Sequence, residues 1–359
     1  MKKRLYVDFH VLQTVPPSCI NRDDTGSPKT AIYGGVTRAR VSSQAWKHAM
    51  RQAFVEESLL DEEDVGKRTK KVTELVEKEI AALAPDMDAA KLAKEVVKNT
   101  GLKVNEKKDE KKLKTLIFLS KAQVSALAEL GIEGCTEAQK YKDALGAAPS
   151  VDMVLFGRMV AEAASLNYDA AAQVAHSIST HAVQNEYDYF TAVDDCPDSD
   201  NAGASHLDTK EYNSATLYRY ATVNVMELER HLGAKKAAEV VRSFGEAFIR
   251  SMPTGSQNTF ANRTLPDAVY VTIREDQPVN LCGAFERAVR KSAEGYAEPS
   301  KSALQAYAQQ LYQSFAEAPA KSFTVGTGLE ALAPAQPLNT MLDALEKAVR
   351  DALAGNEVG

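Results

Sequence analysis

The sequence predicts an α+β fold: a sheet domain of ferredoxin-like arrangement interrupted by a long helical insertion. Three observations carry that reading. Leu5, Val7, Phe9 and Val11 alternate with Tyr6, Asp8, His10 and Leu12, the period of a strand with one buried face. Tyr218 to Val225 alternates in the same way later in the chain, and Ala268 to Ile273 reads as a third strand. Between the first and second of these strands, residues 60 to 175 are rich in Ala, Glu and Lys at helical spacing. Strand and helix alternating around such an excursion predict a sheet with helices on one face.

The elements follow in order. Pro16-Pro17 through Asp23-Asp24 to Gly34-Gly35 reads as a long loop, because Pro, Asn, Asp and Gly break regular structure. Arg38-Ala39-Arg40-Val41 is short and extended. Ser42-Ser43 then opens a helix reaching about Leu60, with Trp46, Ala49, Met50 and Ala53 on one face and Lys47 and Arg51 one turn apart on another. The mixed charge of Lys103 to Lys114 suggests an exposed loop or a fraying helix. Asn185 to Asn213 is polar and acidic, a helix carries Val240, Val241, Phe244 and Phe248, and further helices are expected near 281–291, 301–317 and 337–354.

The 359 residues, 44% apolar and 26% charged, suit a globular chain of two domains or of one domain with a large insertion. No stretch nears the roughly 20 apolar residues of a membrane helix. Lys2-Lys3-Arg4 resembles the start of a signal peptide, but Asp8 and His10 interrupt what would be its apolar core, so a cytoplasmic location is expected. Cys19, Cys135, Cys196 and Cys282 are scattered, and His176 and His181 lack the Cys or second His pair of a zinc site. The net charge of −6 speaks against nucleic-acid binding, yet residues 1–55 carry nine basic and three acidic side chains. Such asymmetry points to a local anion-binding face on a chain kept soluble by acid elsewhere; a solvated basic face without a partner is the alternative.

The basic residues cluster as Arg22, Lys29, Arg38, Arg40, Lys47 and Arg51 around Ser42-Ser43-Gln44. A helix start at Ser42 or Ser43 offers N–H groups and positive dipole to phosphate, with Lys47 and Arg51 on the next turns. Contacts of this kind hold a backbone without reading bases; an ordinary capped helix with a basic side is the alternative. Asp23 and Asp24 could hold a metal for phosphodiester cleavage, but neighbours on a loop point apart, and turn formation or pairing with Arg22 is preferred. Tyr189-Phe190 could stack on bases or pack in a hairpin core. No phosphate-binding Gly-rich loop or nucleophile elbow is present, so no catalysis is expected.

Several stretches resemble a known family. Phe9-His10-Val11-Leu12, Pro17 to Asp24, Ala31-Ile32-Tyr33-Gly34-Gly35 and Val41-Ser42-Ser43-Gln44 closely resemble the start of the CasC family, backbone subunits of the type I-E Cascade complex. Gly157-Arg158-Met159, Ala175-His176-Ser177-Ile178, Phe190 to Asp195, Ser205-His206-Leu207 and Tyr218-Arg219-Tyr220-Ala221 follow in family order. The resemblance implies an RNA-recognition-like palm (1–56, 176–184 and 216–359), helical fingers (57–175) and a β-hairpin thumb (185–215). It implies several copies stacked head to tail along one CRISPR RNA, together with large, small, guide 5′-end cap and guide-processing subunits, and a target DNA strand pairing with the guide in short segments. It implies no cofactor. By position, phosphate contacts fall on Arg22, Ser42, Gln44 and Lys47, a wedge on Met159, and the surround of a displaced base on Tyr189, Phe190, Thr191 and Val193. Arg287, Arg290 and Lys291 stand where the family has further basic contacts. Tyr189 replaces a common Trp, and only Lys140 and Lys142 represent a lysine-rich finger helix. Related type III subunits cut RNA from a loop Asp, which makes an endoribonuclease acting through Asp23 or Asp24 the rival reading.

Overall fold

In the computed structural model, which describes residues 4–105, 109–160, 163–192 and 206–355, the first strand, β1 (Tyr6–Ser18), outruns its alternating stretch. It continues through Pro16-Pro17, and because proline has no N–H to give the ladder, the register shifts between Val15 and Ser18. The segment expected to be loop holds a second strand, β2 (Thr30–Tyr33), paired with β3 (Val36–Val41) through Gly34-Gly35. Both glycines have positive φ, as a two-residue hairpin turn requires. After β4 (Ser177–Ser179) comes a hairpin of β5 (Glu186–Ala192) and β6 (His206–Asn224), then β7 (Ala268–Arg274) and an unforeseen β8 (Lys321–Gly326).

The main sheet runs β8-β7-β1-β6-β4-β3-β2. β1 is central, with Phe9 opposite Ala221 of β6 on one side and Val271 of β7 on the other. The α+β, RNA-recognition-like architecture expected from the sequence is therefore the one observed. The expectation of helices on one face is corrected, because both faces are covered. Phe9 packs on Phe244 and Phe248 of α2 (Ala234–Arg250), and Gly245 lets that helix come so close that a Cβ there would stand 2.8 Å from the Phe9 ring. Arg242 pairs with Asp343 of α4 (Leu338–Ala354) at 3.1 Å. On the opposite face Leu12, Tyr218 and Tyr270 form a second core with Leu304 and Ala308 of α3 (Ala297–Ser314) and with Leu281 and Phe285. Leu281–Phe285 is a short 3-10 turn where a helix to 291 was expected, and α1 (Ser43–Glu56) stops before Leu60.

Burial of both faces leaves polar side chains in the interior, and each is handled locally. Asp8 accepts hydrogen bonds from Tyr220 Oη at 3.0 Å and Val279 N–H at 2.8 Å, while burial pushes its pKa up to about 6. His10 Nδ1 shares a 2.9 Å hydrogen bond with Tyr218 Oη, and its buried Nε2 has no partner. Protonation would bury an unpaired charged N–H, and burial, with the nearby Arg274, brings its pKa down to about 3.

Contacts divide the chain into two units. One comprises Met1–Ala53, Val174–Met226 and Val241–Gly359; the other comprises Phe54–Gln173 with Glu227–Val240. In the second, helices Val72–Leu83, Ala89–Asn99, Lys121–Ile132 and Ala138–Gly146 enclose Val76, Ile80, Val96, Leu127, Tyr141 and Leu145. Val104–Asn105 and Asp109–Leu113 pair as strands within the charged stretch read as loop or frayed helix. Among the described residues, no helix is long and apolar enough to cross a membrane.

A group with a depressed folded pKa stabilises the fold above its unfolded value and loses that contribution as pH falls. Wild-type protein therefore loses about 1.4 kcal/mol per pH unit through His10 as pH drops below 6.5, while Asp8, with its raised pKa, acts in the opposite sense. Replacing His10 with Gln removes the first effect alone. The stability gap between wild type and His10→Gln, measured by urea unfolding, should narrow steadily from pH 7 to pH 4.

Candidate nucleic-acid interface

The basic cluster divides into buried supports and groove-facing groups. Arg38 is fully buried. Its guanidinium donates to the carbonyls of Tyr33 (3.2 Å), Ser179 (2.9 Å), Phe285 (2.9 Å) and Glu286 (3.3 Å). With four of its five donors bonded to backbone carbonyls and its side chain buried, Arg38 is corrected from a phosphate ligand to a structural clamp.

The start of α1 is corrected likewise. Asn21 Oδ1 accepts from Ser42 N–H at 2.9 Å, and His176 Nδ1 accepts from Ser43 N–H at 2.8 Å. The Ser42 carbonyl takes the N–H groups of Ala45 and Trp46, and Ser42 Oγ caps Ala45 at 3.3 Å. These donors have protein acceptors and are closed to phosphate. Ser42 is buried and Ser43 half-buried, whereas Gln44 is exposed and Lys47 and Arg51 are half-buried on the following turns.

Lys29 and Arg40 are half-buried and lie side by side. Together they line a narrow groove with Asn21, Ser18, Val15 and Asn213 at the root of the β5–β6 hairpin. Lys29 is fixed there by its N–H bond to the Asn21 carbonyl, and Arg40 N–H bonds in turn to the Lys29 carbonyl, both at 2.9 Å. Arg40 Nε is buried and has no acceptor, a donor left unpaid in the free protein. The positive field is felt by His176: burial, then the charges of Arg40 and Lys29, hold its imidazole below the usual range, which keeps Nδ1 an acceptor for Ser43. Arg22 is exposed nearby in the chain, on a loop pinned by its bridge to Pro28.

Asp23, in the same loop, is committed to turn geometry. Its Oδ1 accepts from Thr25 Oγ1 at 2.7 Å, Thr25 N–H at 2.9 Å and Ser27 N–H at 3.0 Å, and the Thr25 hydroxyl leads in lowering its pKa. Among the described residues no three His, Cys, Asp or Glu side chains are grouped as a metal site.

Arg287, Arg290 and Lys291 are exposed just after Glu286, whose carbonyl lies against Gly34. Through that contact and the Arg38 clamp, a second basic segment is seated beside the β2–β3 turn. On the hairpin, Tyr189 and Phe190 point to opposite faces of β5, and Tyr189 and Thr191 share one face. Phe190 is on the face of Lys210 and Tyr212, which pack on Phe260. Val193 lies outside the described residues. Met159 belongs to the second unit and is 86% exposed. Its neighbour Arg158 is buried and tied to the Leu166 and Leu145 carbonyls at 2.7 and 2.8 Å, so the exposed thioether rides on a rigid turn.

The family described as CT1975-like protein matches residues 7–350. The chain belongs to that family. The family resemblance read from its motifs is thereby borne out. The chain is also similar to one in a solved "CRISPR RNA-guided surveillance complex, pre-nicking", at 32% identity over 96% of this chain and 100% of that one, TM-score 0.82. A chain of another "CRISPR RNA-guided surveillance complex" is 30% identical over 96% of this chain and 99% of that one, TM-score 0.62. Comparison with curated proteins gives no match.

Sequence reasoning did not foresee that Asn21 and His176 close the helix start, and it did not single out Tyr187, which shares the exposed face of Tyr189. Alternation along Glu186–Ala192 would have signalled the tyrosine; the two caps come from segments remote in sequence and carry no local signal.

Two outcomes test this arrangement. Replacing Arg38 with Ala strands buried carbonyls and should cost about 3 kcal/mol or more in urea unfolding. Gly34→Ala forces the hairpin turn from Glu286, and should lower thermal stability and weaken RNA retention by unseating Arg287, Arg290 and Lys291; a crystal structure of the variant would show the displaced segment.

Proposed function

We propose that this protein is the CRISPR RNA-binding backbone subunit of a type I-E Cascade antiviral complex, and that it is not an enzyme. Several copies stack head to tail along one guide in the cytoplasm, beside the large, small, guide-capping and guide-processing subunits. The guide pairs with target DNA in short segments. The observation that carries the reading is the groove of Lys29 and Arg40 at the root of an aromatic hairpin, in a chain similar over nearly its whole length to chains of CRISPR RNA-guided surveillance complexes.

The chemistry suits a subunit that must accept any guide. Cationic side chains hold phosphates irrespective of sequence, while base-edge hydrogen bonds would restrict the spacers accepted. Exposed Tyr189 and Met159 offer surfaces that stack or wedge without reading base identity. The type I-E assignment rests on the ordered motifs from Phe9 to Ala221. The non-catalytic reading is supported by Asp23, whose Oδ1 is engaged by three donors of its own loop.

Complex purified with its partner subunits should carry short guide transcripts. The pair Lys29→Gln and Arg40→Gln should weaken binding equally for all spacer sequences and reduce the slope of log affinity against log salt by about 1.4, two single-strand phosphate contacts. Complementary RNA with magnesium should stay intact; regular cleavage abolished by Asp23→Ala or Asp24→Ala would replace this reading with that of an endoribonuclease.

A further inference from the structure

Two large apolar side chains stand mostly in solvent at opposite ends of β7: Leu265, 71% exposed, and Phe315, 88% exposed. Leu265 is at the Ala268 end, where Asp267 N–H donates to the Leu12 carbonyl at 2.8 Å and Gln13 Nε2 to the Thr264 carbonyl at 2.9 Å. Phe315 is at the Arg274 end, just past α3. There the Arg274 guanidinium lies over the Tyr312 ring and donates to the Glu317 carbonyl at 2.8 Å. The strand between the two spans about 20 Å at roughly 3.3 Å per residue. Both ends belong to the same compact unit. Both are also poor in charge. Residues 302–316, with Ala306, Gln309, Gln310 and Gln313 exposed, hold no Asp, Glu, Lys or Arg, in a chain of which 26% is charged. Residues 253–262, which lead to Leu265, hold none either, with Arg263 at their border and Lys210 donating to Thr259 Oγ1.

We infer that Phe315 of one copy packs against Leu265 of the next, so that these two neutral ends form a protein joint between neighbouring copies on one guide. The inference deepens the stacking reading above and rests on it. RNA is a poor occupant of the Phe315 end, because holding phosphates takes cations that residues 302–316 lack. A surface depleted of charge around an exposed aromatic has instead the composition of a protein contact. Every copy exposes both side chains, so a partner covering them all must be present in equal number, as the next copy is. Placement at opposite ends of one strand makes the contact heterologous: the tail of each copy meets the head of the next, and the contact repeats. One Phe against one Leu is far less than the roughly 800 Å² per partner of a free-standing interface. Between copies already held on one guide the effective concentration is high, and a small contact suffices.

The test uses complex purified with its partner subunits and guide, with the copies on each guide counted by native mass spectrometry. Phe315→Lys and Leu265→Glu, each alone, should cut the share of guides carrying the full set of copies about tenfold, as loss of one interface anchor does. Both together place Lys opposite Glu at every joint and should restore most of that loss. Phe315→Leu keeps an apolar contact and should assemble as wild type does. Both side chains are exposed in the single chain, so thermal unfolding of the isolated variants should match wild type. Single variants that assemble fully overturn the joint. A double variant no better than the worse single gives the two ends separate partners and overturns it too. A full set of copies that has lost one of the other subunits assigns the face to that subunit, with the same consequence. Wild-type complex devoid of guide would instead defeat the reading on which the joint depends.

Discussion

One buried cation organises the basic face. Arg38 reaches from β3 to carbonyls of the β2–β3 turn, of β4 and of the segment after Leu281–Phe285. A guanidinium is suited to this because it presents five donors in a rigid plane, and because in a dry interior hydrogen bonds to a charged group are roughly twice as strong as neutral ones. Without it, three stretches remote in sequence would each leave an acceptor unpaired under the hairpin. With it, Lys29 and Arg40 on one side and Arg287, Arg290 and Lys291 on the other are held on fixed backbone while Arg38 itself meets no ligand.

A second organising constraint is the length of β6. Residues Ala215 to Val223 are buried in the palm sheet beside β1, and the same strand runs back to His206 as the partner of β5. The aromatic hairpin is therefore an extension of the most deeply buried ladder, and its orientation is set by the core. Arg219 shows how firmly that ladder is seated: its guanidinium lies 3.8 Å from the Trp46 ring centre and donates to Gln13 Oε1 at 2.6 Å. A desolvated cation over an indole adds on the order of 2 kcal/mol, and here it joins α1 to the sheet from which the hairpin projects.

The acidic net charge and the basic groove are compatible because their effects differ in range. At physiological salt, exposed charges more than about 8 Å apart are largely screened, so carboxylates elsewhere keep the chain soluble without cancelling Lys29 and Arg40 locally. His176 lies in that local field: burial first, then the charges of Arg40 and Lys29, lower its pKa.

The sequence by itself determined what depends on local spacing. The alternation around Phe9 and Tyr220, the apolar run around Val271, the helical faces of Trp46 and Phe244, the excess of positive charge in residues 1–55 and the ordered motifs all lie within short windows, and they specified the α+β class, the helical insertion and the family. Tertiary structure alone decided what each polar side chain of the cluster does. Arg38 and Arg40 are two residues apart and chemically identical in sequence, yet one is consumed by distant carbonyls and the other keeps a buried Nε without an acceptor. Asp8 and His10 look like the solvent side of a strand until α3 and the Leu281–Phe285 turn cover them. Asn21 and His176 close the helix start that Ser42 and Ser43 offered to phosphate. Partners for a hydrogen bond are chosen by proximity in space, and in this sheet the neighbours of Arg38 lie up to 248 residues away along the chain.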